Sequence, residues 1–430
     1  MQNYIKSVSV KGLWDVKNIN INFNEDVNIL IGGNGSSKTT FLRIVESLLN
    51  VDLASIEEII FDEVEIVIQH EEPLKLVIQR LMEDMVTPLY RYMFPDGETI
   101  DIRYSDARMI YRSLNSHRIY QHLKDRLEVL VRVSWLSINR ISENSDRIER
   151  RVSESARTDV DLKLVLLMNQ IVSYRLQLET KVNNRTKKFN EDIVSLLLYN
   201  SSYDTLPKFD QIQRIQSYNK EDIVTELHKV FSYFGDPRVH TEEIQNHAEK
   251  IIQVVDKLNS KDSSFTAEEM LSLSLMTRTL AILTLSSTYQ ADKAKILEPI
   301  TMYLDIVAQY LKDKRIDLNV STGELTPYVR LNGKKERELD VKVLSSGEKQ
   351  LLILLTETLL QQSQPYIFIA DEPELSLHIE WQRNLVNSIR NLNPNAQIIF
   401  ATHAPEIAAN HSKKLINMQS VTTYAEERSI

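Results

Sequence analysis

Two segments rich in glycine and serine have the residue types that bind phosphate. The first, residues 32–39, reads GGNGSSKT. Glycines allow a tight turn that directs backbone N–H groups at phosphate oxygens, and the helix that follows adds the positive end of its dipole. Lys38 is then placed to reach the β- and γ-phosphates of a nucleotide, and the Thr39 hydroxyl to ligate Mg²⁺. The expected nucleotide-binding residues of this segment are Gly32, Gly33, Asn34, Gly35, Ser36, Ser37, Lys38, Thr39 and Thr40.

This segment fits the Walker A pattern except at Ser37, where the pattern has glycine. An ordinary Gly/Ser turn has a similar composition, so the neighbouring motifs must decide between the two interpretations. A Cβ at this position is expected to slow hydrolysis or loosen the phosphate loop without abolishing binding. That behaviour would suit a sensor better than a motor.

An apolar run that ends in two acids, residues 365–372 (PYIFIADE), predicts a buried strand of the Walker B kind. Asp371 is expected to join Thr39 as a metal ligand, and Glu372 to position and polarise the attacking water. An apolar strand that ends in Asp-Glu is common by chance. The inference therefore depends on the position of this run relative to the other motifs.

A second apolar run, Ile398–His403, predicts a strand that ends at a histidine. An imidazole at this place can hydrogen-bond the γ-phosphate and sense its loss. A lone histidine is more often a surface or packing residue, but this one follows the Walker B strand directly. The expected catalytic residues are Lys38, Glu372 and His403.

The other phosphate-type segment, residues 344–350 (LSSGEKQ), precedes an apolar helix expected over Leu351–Leu360. A helix N-terminus with a loop of small residues suits a second anion, although a plain Ser-Gly turn that opens a helix has the same appearance. Four of the nine glycines of the chain lie in the two phosphate-type segments, which favours the functional interpretation. The expected nucleotide-binding residues here are Ser345, Ser346, Gly347 and Glu348.

The strands and helices that must position these residues follow from hydrophobic periodicity. A helix is expected over 39–49, directly after the first glycine loop, and a hairpin around the turn at 95–97. Strands are expected over 5–10, 16–23, 27–31, 63–68, 90–94, 99–104 and 129–138, with strand-like alternation again over 317–331.

Between residues 142 and 314 the pattern becomes helical. Helices are expected over 160–188, 221–234, 241–258 and 266–285, with breaks at Pro207, at 235–237 and at Pro299. No heptad pattern persists over three repeats, so a compact lobe is expected rather than a long coiled-coil arm. The expected limits are 1–141 and 315–430 for the two lobes of a head, and 142–314 for a helical insertion.

Composition narrows the class of protein further. The 430 residues carry a net charge of −9, which argues against a surface that is basic overall. The chain has no cysteine, which excludes disulfides and cysteine zinc sites. The longest apolar runs are too short to span a membrane, and residues 1–6 lack the apolar core of a signal peptide. We therefore expect a cytoplasmic protein without a membrane partner.

Residues 5–49 and 316–418 resemble the SMC/RecF-like ABC ATPases, through GGNGSSKT, LSSGEKQ, ADEPE and THAPEI. The sequence looks most like the OLD-type ATPases and the anti-phage ATPases PtuA of Septu and AriA of PARIS. This resemblance implies an α/β fold: an ABC-type P-loop head with a mixed sheet, flanking helices and an antiparallel β subdomain, which carries a largely helical insertion. It also implies ATP and Mg²⁺, and a homodimer or higher homo-oligomer in which Ser345 and Gly347 act on the opposite subunit's nucleotide.

The sequence departs from the family pattern beyond Ser37 as well. His378 stands where many transporters have aspartate, and the residues after His403 are expected to be too few for the C-terminal TOPRIM nuclease of the OLD proteins. Any cutting or toxic activity is therefore expected in a separate effector, such as an HNH or TOPRIM nuclease or a toxin.

The principal hypothesis is an ATP-hydrolysing switch or sensor that regulates such an effector in bacterial anti-phage defence. The alternative is a RecF/SMC-like ATPase of DNA repair or maintenance; a transporter subunit ranks last, because its signature more often reads LSGGQ. The basic stretches 181–188 and 147–151 could contact nucleic acid or an acidic partner. The more common interpretation of such charge runs is a solvated helix face.

Two further functions of the site have no single expected residue. Gln69 or the Asn139-Arg140 corner could form the loop that links the γ-phosphate to the outside of the head. Trp14 or Lys11 could lie near the adenine.

Overall fold

The computed structural model describes residues 3–84, 87–103, 114–136, 159–196, 198, 208–259, 266–319, 323–331 and 335–424. The chain forms two compact units. The first comprises Met1–Tyr174 and Pro299–Ile430, and the second comprises Arg175–Glu298. Both borders of the second unit fall inside long helices. The lobe limits expected at 142 and 314 stay a prediction.

The described elements are numbered in chain order. The strands are β1 (Tyr4–Leu13), β2 (Lys17–Asn22), β3 (Val27–Ile31), β4 (Glu63–Gln69), β5 (Pro73–Asp84), β6 (Thr87–Met93), β7 (Thr99–Arg103), β8 (Val133–Leu136), β9 (Lys314–Leu318), β10 (Leu325–Leu331), β11 (Lys335–Glu338), β12 (Tyr366–Asp371), β13 (Ala396–Ala401), β14 (Leu415–Asn417) and β15 (Thr422–Tyr424). The helices are α1 (Lys38–Asn50), α2 (Leu114–Leu130), α3 (Asp159–Ser195), α4 (Phe209–Gln216), α5 (Lys220–Ser232), α6 (Thr241–Asn259), α7 (Ala267–Tyr310), α8 (Ser346–Leu360), α9 (Ile379–Leu392) and α10 (Pro405–Ala409).

A parallel five-stranded sheet forms the centre of the first unit, with strand order β14-β3-β13-β12-β8. Its middle strands are almost continuously apolar and buried, as expected for a parallel sheet that is covered on both faces. Because all five strands run in the same direction, their carboxyl ends lie along one edge. The loops that follow β3, β12 and β13 therefore meet there.

Two antiparallel sheets complete the first unit. The larger has seven strands in the order β15-β2-β1-β4-β5-β6-β7, and the smaller has the order β11-β10-β9. Strand β4 alternates buried and half-buried residues, the pattern of a sheet with one face on the core. The predicted hairpin is present as β6 and β7, which pair around the turn at 95–97.

The second unit is helical. It contains α4, α5 and α6 together with the parts of α3 and α7 between residues 175 and 298. A buried aromatic cluster joins the two long helices: Phe189 stacks on Tyr289 with ring centroids 4.7 Å apart, and Tyr233 packs edge-on against both rings. The Tyr289 hydroxyl is 2.8 Å from the Thr186 hydroxyl, which satisfies both buried polar groups.

Two expectations about secondary structure are wrong. Pro299 was expected to interrupt a helix, but α7 continues through it. The lost backbone hydrogen bond costs about 3 kcal/mol, and the burial of Ile300, Tyr303 and Ile306 on the next turns offsets this cost. Within the described residues, the strand expected from 129 begins only at Val133 (β8), because α2 extends to Leu130 and buries Leu123 and Leu127 against the first unit's core; residues 137 and 138 lie outside the described residues.

One helix among the described residues, Glu269–Tyr310 within α7, is long and apolar enough to cross a membrane by length and composition. Buried core helices meet the same criterion, and 44% of its most apolar stretch is buried inside the protein. The helix is therefore weak evidence for a membrane span.

Candidate nucleotide-binding and hydrolysis site

The carboxyl edge of the parallel sheet gathers the predicted site residues. Strand β3 leads into the glycine loop and α1, β12 ends at Asp371, and β13 leads to Thr402 and His403. The register Asp371↔Ala401 places the ends of β12 and β13 side by side. Motifs that are far apart in the sequence therefore lie close together at one edge of the sheet.

The glycine loop is shaped for close approach of a phosphate. Gly32 has a φ of 156° and Gly35 a φ of 77°, conformations that side chains with a Cβ rarely adopt. At Gly33 and Gly35 an added Cβ would meet no described atom within 4 Å, so this face of the loop is open. The tight turn of the backbone and the open space beside Gly33 and Gly35 together fit a bound phosphate group.

The Lys38 side chain already points into this loop. Its Nζ donates to the carbonyl oxygen of Gly32 at 2.8 Å and lies 3.4 Å from the Gly33 carbonyl and from the Ser36 hydroxyl. The residue is only 6% exposed. An ammonium group held among neutral oxygens is ready to exchange one of them for an anionic phosphate oxygen.

Ser37 occupies the N-cap of α1 in the left-handed region, with a φ of 67°. This conformation costs a non-glycine residue roughly 1–2 kcal/mol, and it explains why glycine is usual at this position. The Ser37 hydroxyl makes no capping hydrogen bond but lies 3.4 Å from the Lys17 ammonium group at the start of β2.

Asp371 and Thr39 are suited to hold a magnesium ion. Burial raises the pKa of Asp371, and the nearby Thr39 hydroxyl opposes this rise. The Asp371 Oδ1 atom is buried and has no hydrogen-bond partner among the described residues. A buried carboxylate oxygen without a partner is costly unless a cation compensates it, and hydroxyl and carboxylate oxygens are ligands that Mg²⁺ accepts beside phosphate.

Glu372 and His403 face each other next to this pair. The Glu372 Oε1 and His403 Nε2 atoms are 4.0 Å apart, and both side chains are about 40% exposed. Glu372 has a φ of 47°, a strained conformation that its backbone hydrogen bond to the Ala401 carbonyl helps to hold. A carboxylate and an imidazole thus stand together at the carboxyl edge of the sheet, after strands β12 and β13.

The LSSGEKQ loop opens α8 with a complete capping box. The Ser345 hydroxyl accepts from the backbone N–H of Glu348, whose carboxylate accepts from the N–H of Ser345 at 2.8 Å and from Lys314 Nζ at 2.6 Å. Gly347 is buried, and a Cβ there would overlap the Ser376 carbonyl oxygen. Ser345 and Ser346 are exposed, so only these two side chains are available to a ligand outside the chain.

The remaining predicted positions have more ordinary surroundings. Lys11 forms an exposed ion pair with Glu63 at 2.8 Å, while Trp14 is 41% exposed at the β1–β2 turn. Gln69 ends β4 and donates to the carbonyl of His70. Asn139 and Arg140 lie outside the described residues.

Two buried polar residues near the site were missed by the sequence interpretation. Glu374 contacts the segment after β13, and the Gln350 side chain donates to the carbonyl oxygen of Pro373 at 3.1 Å. The available signals were an acid two residues beyond the strand-end pair and a polar side chain on an otherwise apolar helix.

A glycine loop after a parallel strand, a buried lysine and two strand-end acids define a P-loop ATPase. The chain belongs to the AAA_15 family (AAA ATPase domain), whose model matches residues 4–408. The expected fold class is confirmed as an α/β P-loop head with flanking helices, antiparallel sheets and a helical region around residues 160–310. In place of the expected mixed sheet, the described residues form a central sheet whose five strands are all parallel.

Over 131 residues the chain is 27% identical to the Retron Vc95 probable ATPase of Vibrio cholerae serotype O1 biovar El Tor. The match covers 28% of this chain and 26% of that protein, so it spans about a quarter of the relative's length.

Two solved structures are similar at low sequence identity. One is the Smc head domain with an extended coiled coil bound to the C-terminal domain of ScpA, derived from Pyrococcus furiosus: 16% identity, 95% of this chain, 92% of that chain, TM-score 0.41. The other is the Smc head domain with a coiled coil and joint derived from Pyrococcus yayanosii: 16% identity, 95% and 93% coverage, TM-score 0.39.

Proposed function

We propose that this ATPase is a nucleotide-dependent switch, in which two copies close on two ATP molecules and thereby regulate a separate effector. The proposal rests on the observation that, within one chain, the phosphate loop and the exposed serine loop lie on different elements. The phosphate loop, Asp371, Glu372 and His403 gather at one sheet edge, while the exposed Ser345 and Ser346 open a different helix. Among the described residues, no hydrogen bond joins these two serines to residues 32–40. A second copy would supply them.

In this proposal each residue has a defined role. Lys38 exchanges its carbonyl partners for phosphate oxygens, and Thr39 and Asp371 hold Mg²⁺, which when bound neutralises phosphate charge. Glu372 orients and polarises the attacking water, and the His403 imidazole hydrogen-bonds the γ-phosphate until it leaves. The open position of the Glu372–His403 pair gives both water and a partner loop access to it.

The defence setting and the effector are the less direct part of the proposal. The retron-named relative supports an anti-phage role, although it matches only part of this chain. A cytoplasmic location and an effector of the nuclease or toxin kind belong to the same proposal. Co-purification of the tagged chain with the product of an adjacent gene, with and without ATP, tests this part separately from the ATPase cycle.

The first test of the clamp is Glu372→Gln. The amide still fills the site but no longer polarises water, so ATP turnover should fall at least 100-fold and an ATP-bound dimer should accumulate. Size-exclusion chromatography with and without ATP measures the dimer. Glu71→Gln, at an exposed turn, is the matched control and should behave as the unmodified chain. Unchanged turnover in Glu372→Gln would refute the catalytic assignment.

Sharing of the site between subunits is tested by mixing two inactive variants. Ser346→Arg places a bulky cation on the exposed serine loop, and Lys38→Ala removes the phosphate-binding lysine. In a mixed dimer one site combines the intact phosphate loop of the first variant with the intact serine loop of the second. Mixing should therefore restore ATP turnover to about a quarter of the normal rate, because half of the dimers are mixed and each holds one intact site.

Ser287→Arg, on an exposed position of α7, is the control for the arginine substitution and should retain turnover. If the mixture stays as inactive as its components, although each variant folds and Ser346→Arg still binds ATP, the site is not shared between subunits.

A further inference from the structure

We propose that Glu374 is a positioning residue that holds the segment bearing His403 in register with Glu372. This inference rests on the ATPase site described above but not on a dimer or an effector. It concerns how a loop beyond the end of a sheet is kept at a fixed distance from the strand-end acids.

The sheet itself stops one residue too early to do this. The parallel pairing of β12 and β13 ends at Asp371↔Ala401, and the Glu372 N–H makes one further bond, at 2.8 Å, to the Ala401 carbonyl. On the other side of β13, the Thr402 N–H makes the last ladder bond to β3, at 3.2 Å to the Leu30 carbonyl. Beyond this point the ladder cannot fix the position of His403.

Beyond the end of the ladder, the Glu374 carboxylate holds residues 402–404 by hydrogen bonds. Its Oε1 atom accepts from the backbone N–H of His403 at 3.0 Å, from the N–H of Ala404 at 3.1 Å and from the Thr402 hydroxyl. The Thr402 hydroxyl oxygen in turn accepts from the Ala404 N–H at 2.9 Å. One oxygen thereby binds two successive backbone amides, an arrangement in which an anionic acceptor is stronger than a neutral one.

The other end of this contact is also fixed. Glu374 is 8% exposed, and Gln350 of α8 donates to the neighbouring Pro373 carbonyl at 3.1 Å from a position that is 2% exposed. The segment Glu372–Glu374 is therefore held at its start by β13, in its middle by α8 and at its end by the loop after β13. The 4.0 Å separation of Glu372 and His403 follows from these contacts.

The second carboxylate oxygen allows the two roles of Glu374, as a hydrogen-bond acceptor and as a charge, to be tested separately. Glu374 Oε2 is buried and has no hydrogen-bond partner among the described residues. Glutamine can therefore present its carbonyl oxygen to the two amides and leave its NH₂ group where Oε2 stood. Alanine removes the acceptor, so the His403 amide loses its hydrogen bond and the Ala404 amide keeps only its bond to the Thr402 hydroxyl.

The experiment compares Glu374→Ala with Glu374→Gln in the full chain. For Glu374→Ala, kcat for ATP should fall roughly 10- to 100-fold, while KM for ATP should change less than about twofold, because the phosphate loop is untouched. Glu374→Gln should recover most of kcat, to within about fivefold of the unmodified chain. A role only in folding predicts instead that KM and the unfolding temperature change together with kcat.

A double-mutant cycle identifies the residue through which Glu374 acts. In a His403→Ala background, Glu374→Ala should lower kcat by less than about twofold more, because the group that it positions is already absent. Equal losses in both backgrounds would overturn the proposal, as would an unchanged kcat in Glu374→Ala.

Amide hydrogen exchange gives a readout that needs no turnover. Exchange at His403 and Ala404 should be faster by at least tenfold in Glu374→Ala and close to normal in Glu374→Gln. Unchanged exchange would overturn the proposal even if no ATP turnover can be measured. Failure of the ATP-dependent dimer, by contrast, would count against the switch and leave this result unaffected.

Discussion

At the scale of single residues, the loop that receives phosphate contains one side chain in an unfavourable conformation. Ser37 adopts a left-handed backbone with a φ of 67°, directly before Lys38. Its hydroxyl makes no capping bond, so little in the loop compensates for this conformation beyond the 3.4 Å approach of Lys17. The conformation is imposed by the loop, because α1 must begin there for Lys38 to point back at the Gly32 carbonyl.

Replacing this serine should therefore stabilise the chain. Ser37→Gly removes roughly 1–2 kcal/mol of backbone strain from the folded chain. Glycine also raises the conformational entropy of the unfolded chain, which offsets part of this gain, so the free energy of unfolding should rise by about 0.5–1 kcal/mol. Thermal or denaturant unfolding measures it. Ser287→Gly, in the interior of α7, is the control and should lose about 0.5 kcal/mol.

The same variant tests the effect of the Cβ on function. If Ser37 slows hydrolysis or loosens the phosphate loop, Ser37→Gly should raise ATP turnover or tighten ATP binding. Unchanged values for both would remove the functional interpretation of Ser37 and leave only its effect on stability.

At the scale of elements, α1 carries a second unusual group on its buried side. Burial raises the pKa of Glu46 to about 7, although Asn50 donates to its carboxylate at 2.8 Å and Ser47 at 3.2 Å. Because the folded chain holds this proton more tightly than the unfolded chain, its contribution to stability is complete below pH ~4.5 and is lost as the pH rises through about 7.

Glu46→Gln should therefore change how stability depends on pH. At pH 8 the variant should be more stable than the unmodified chain by about 1–3 kcal/mol, because no charge is buried and Asn50 keeps its acceptor. Near pH 5 the two chains should be equally stable. Denaturant unfolding across this range measures the difference, with Glu71→Gln as an exposed control. A constant difference at all pH values would contradict the assignment.

The elements around the site were predictable where local patterns are strong. Strand β3 has the expected limits and β12 ends within the expected acid pair, because apolar runs bounded by glycine or charge mark strand ends clearly. Strand β13 ends at Ala401, two residues before the expected histidine. The continuation of α7 through Pro299 was not predictable, since burial on later turns decides it. Glu374 was missed because its partners are backbone amides 29 and 30 residues away, and an amide leaves no signal in a sequence.

At the scale of the whole molecule, α8 is attached to both helices that continue into the second unit. Near the start of α3, Asp161 pairs with Lys349 at 2.7 Å, and Lys163 pairs with Glu357. Near the end of α7, the Tyr303 hydroxyl is 2.9 Å from the Thr356 hydroxyl. All these residues belong to the first unit. A change in α8 on nucleotide binding would reach both helices through buried polar contacts, which tolerate little displacement.

The Asp161–Lys349 pair gives this attachment a measurable strength. Both side chains are largely buried, so Lys349→Met should lower the free energy of unfolding by up to about 3 kcal/mol, because the ion pair with Asp161 is lost. Adding Asp161→Asn should recover most of this loss, since no charge then remains buried. Denaturant unfolding of the four chains of the cycle measures the coupling. Additive losses would show that the pair contributes little.

The close approach of Gly347 to the Ser376 carbonyl has a consequence for how mutational data on this loop should be interpreted. In a library selected for folding alone, Gly347 would stay fixed because any side chain collides with that carbonyl. The exposed Ser346 would vary freely until ATP turnover is also selected. If the proposed shared site is correct, tolerance at these adjacent positions therefore reports two different constraints, one on the architecture of a single subunit and one on the surface it presents to another.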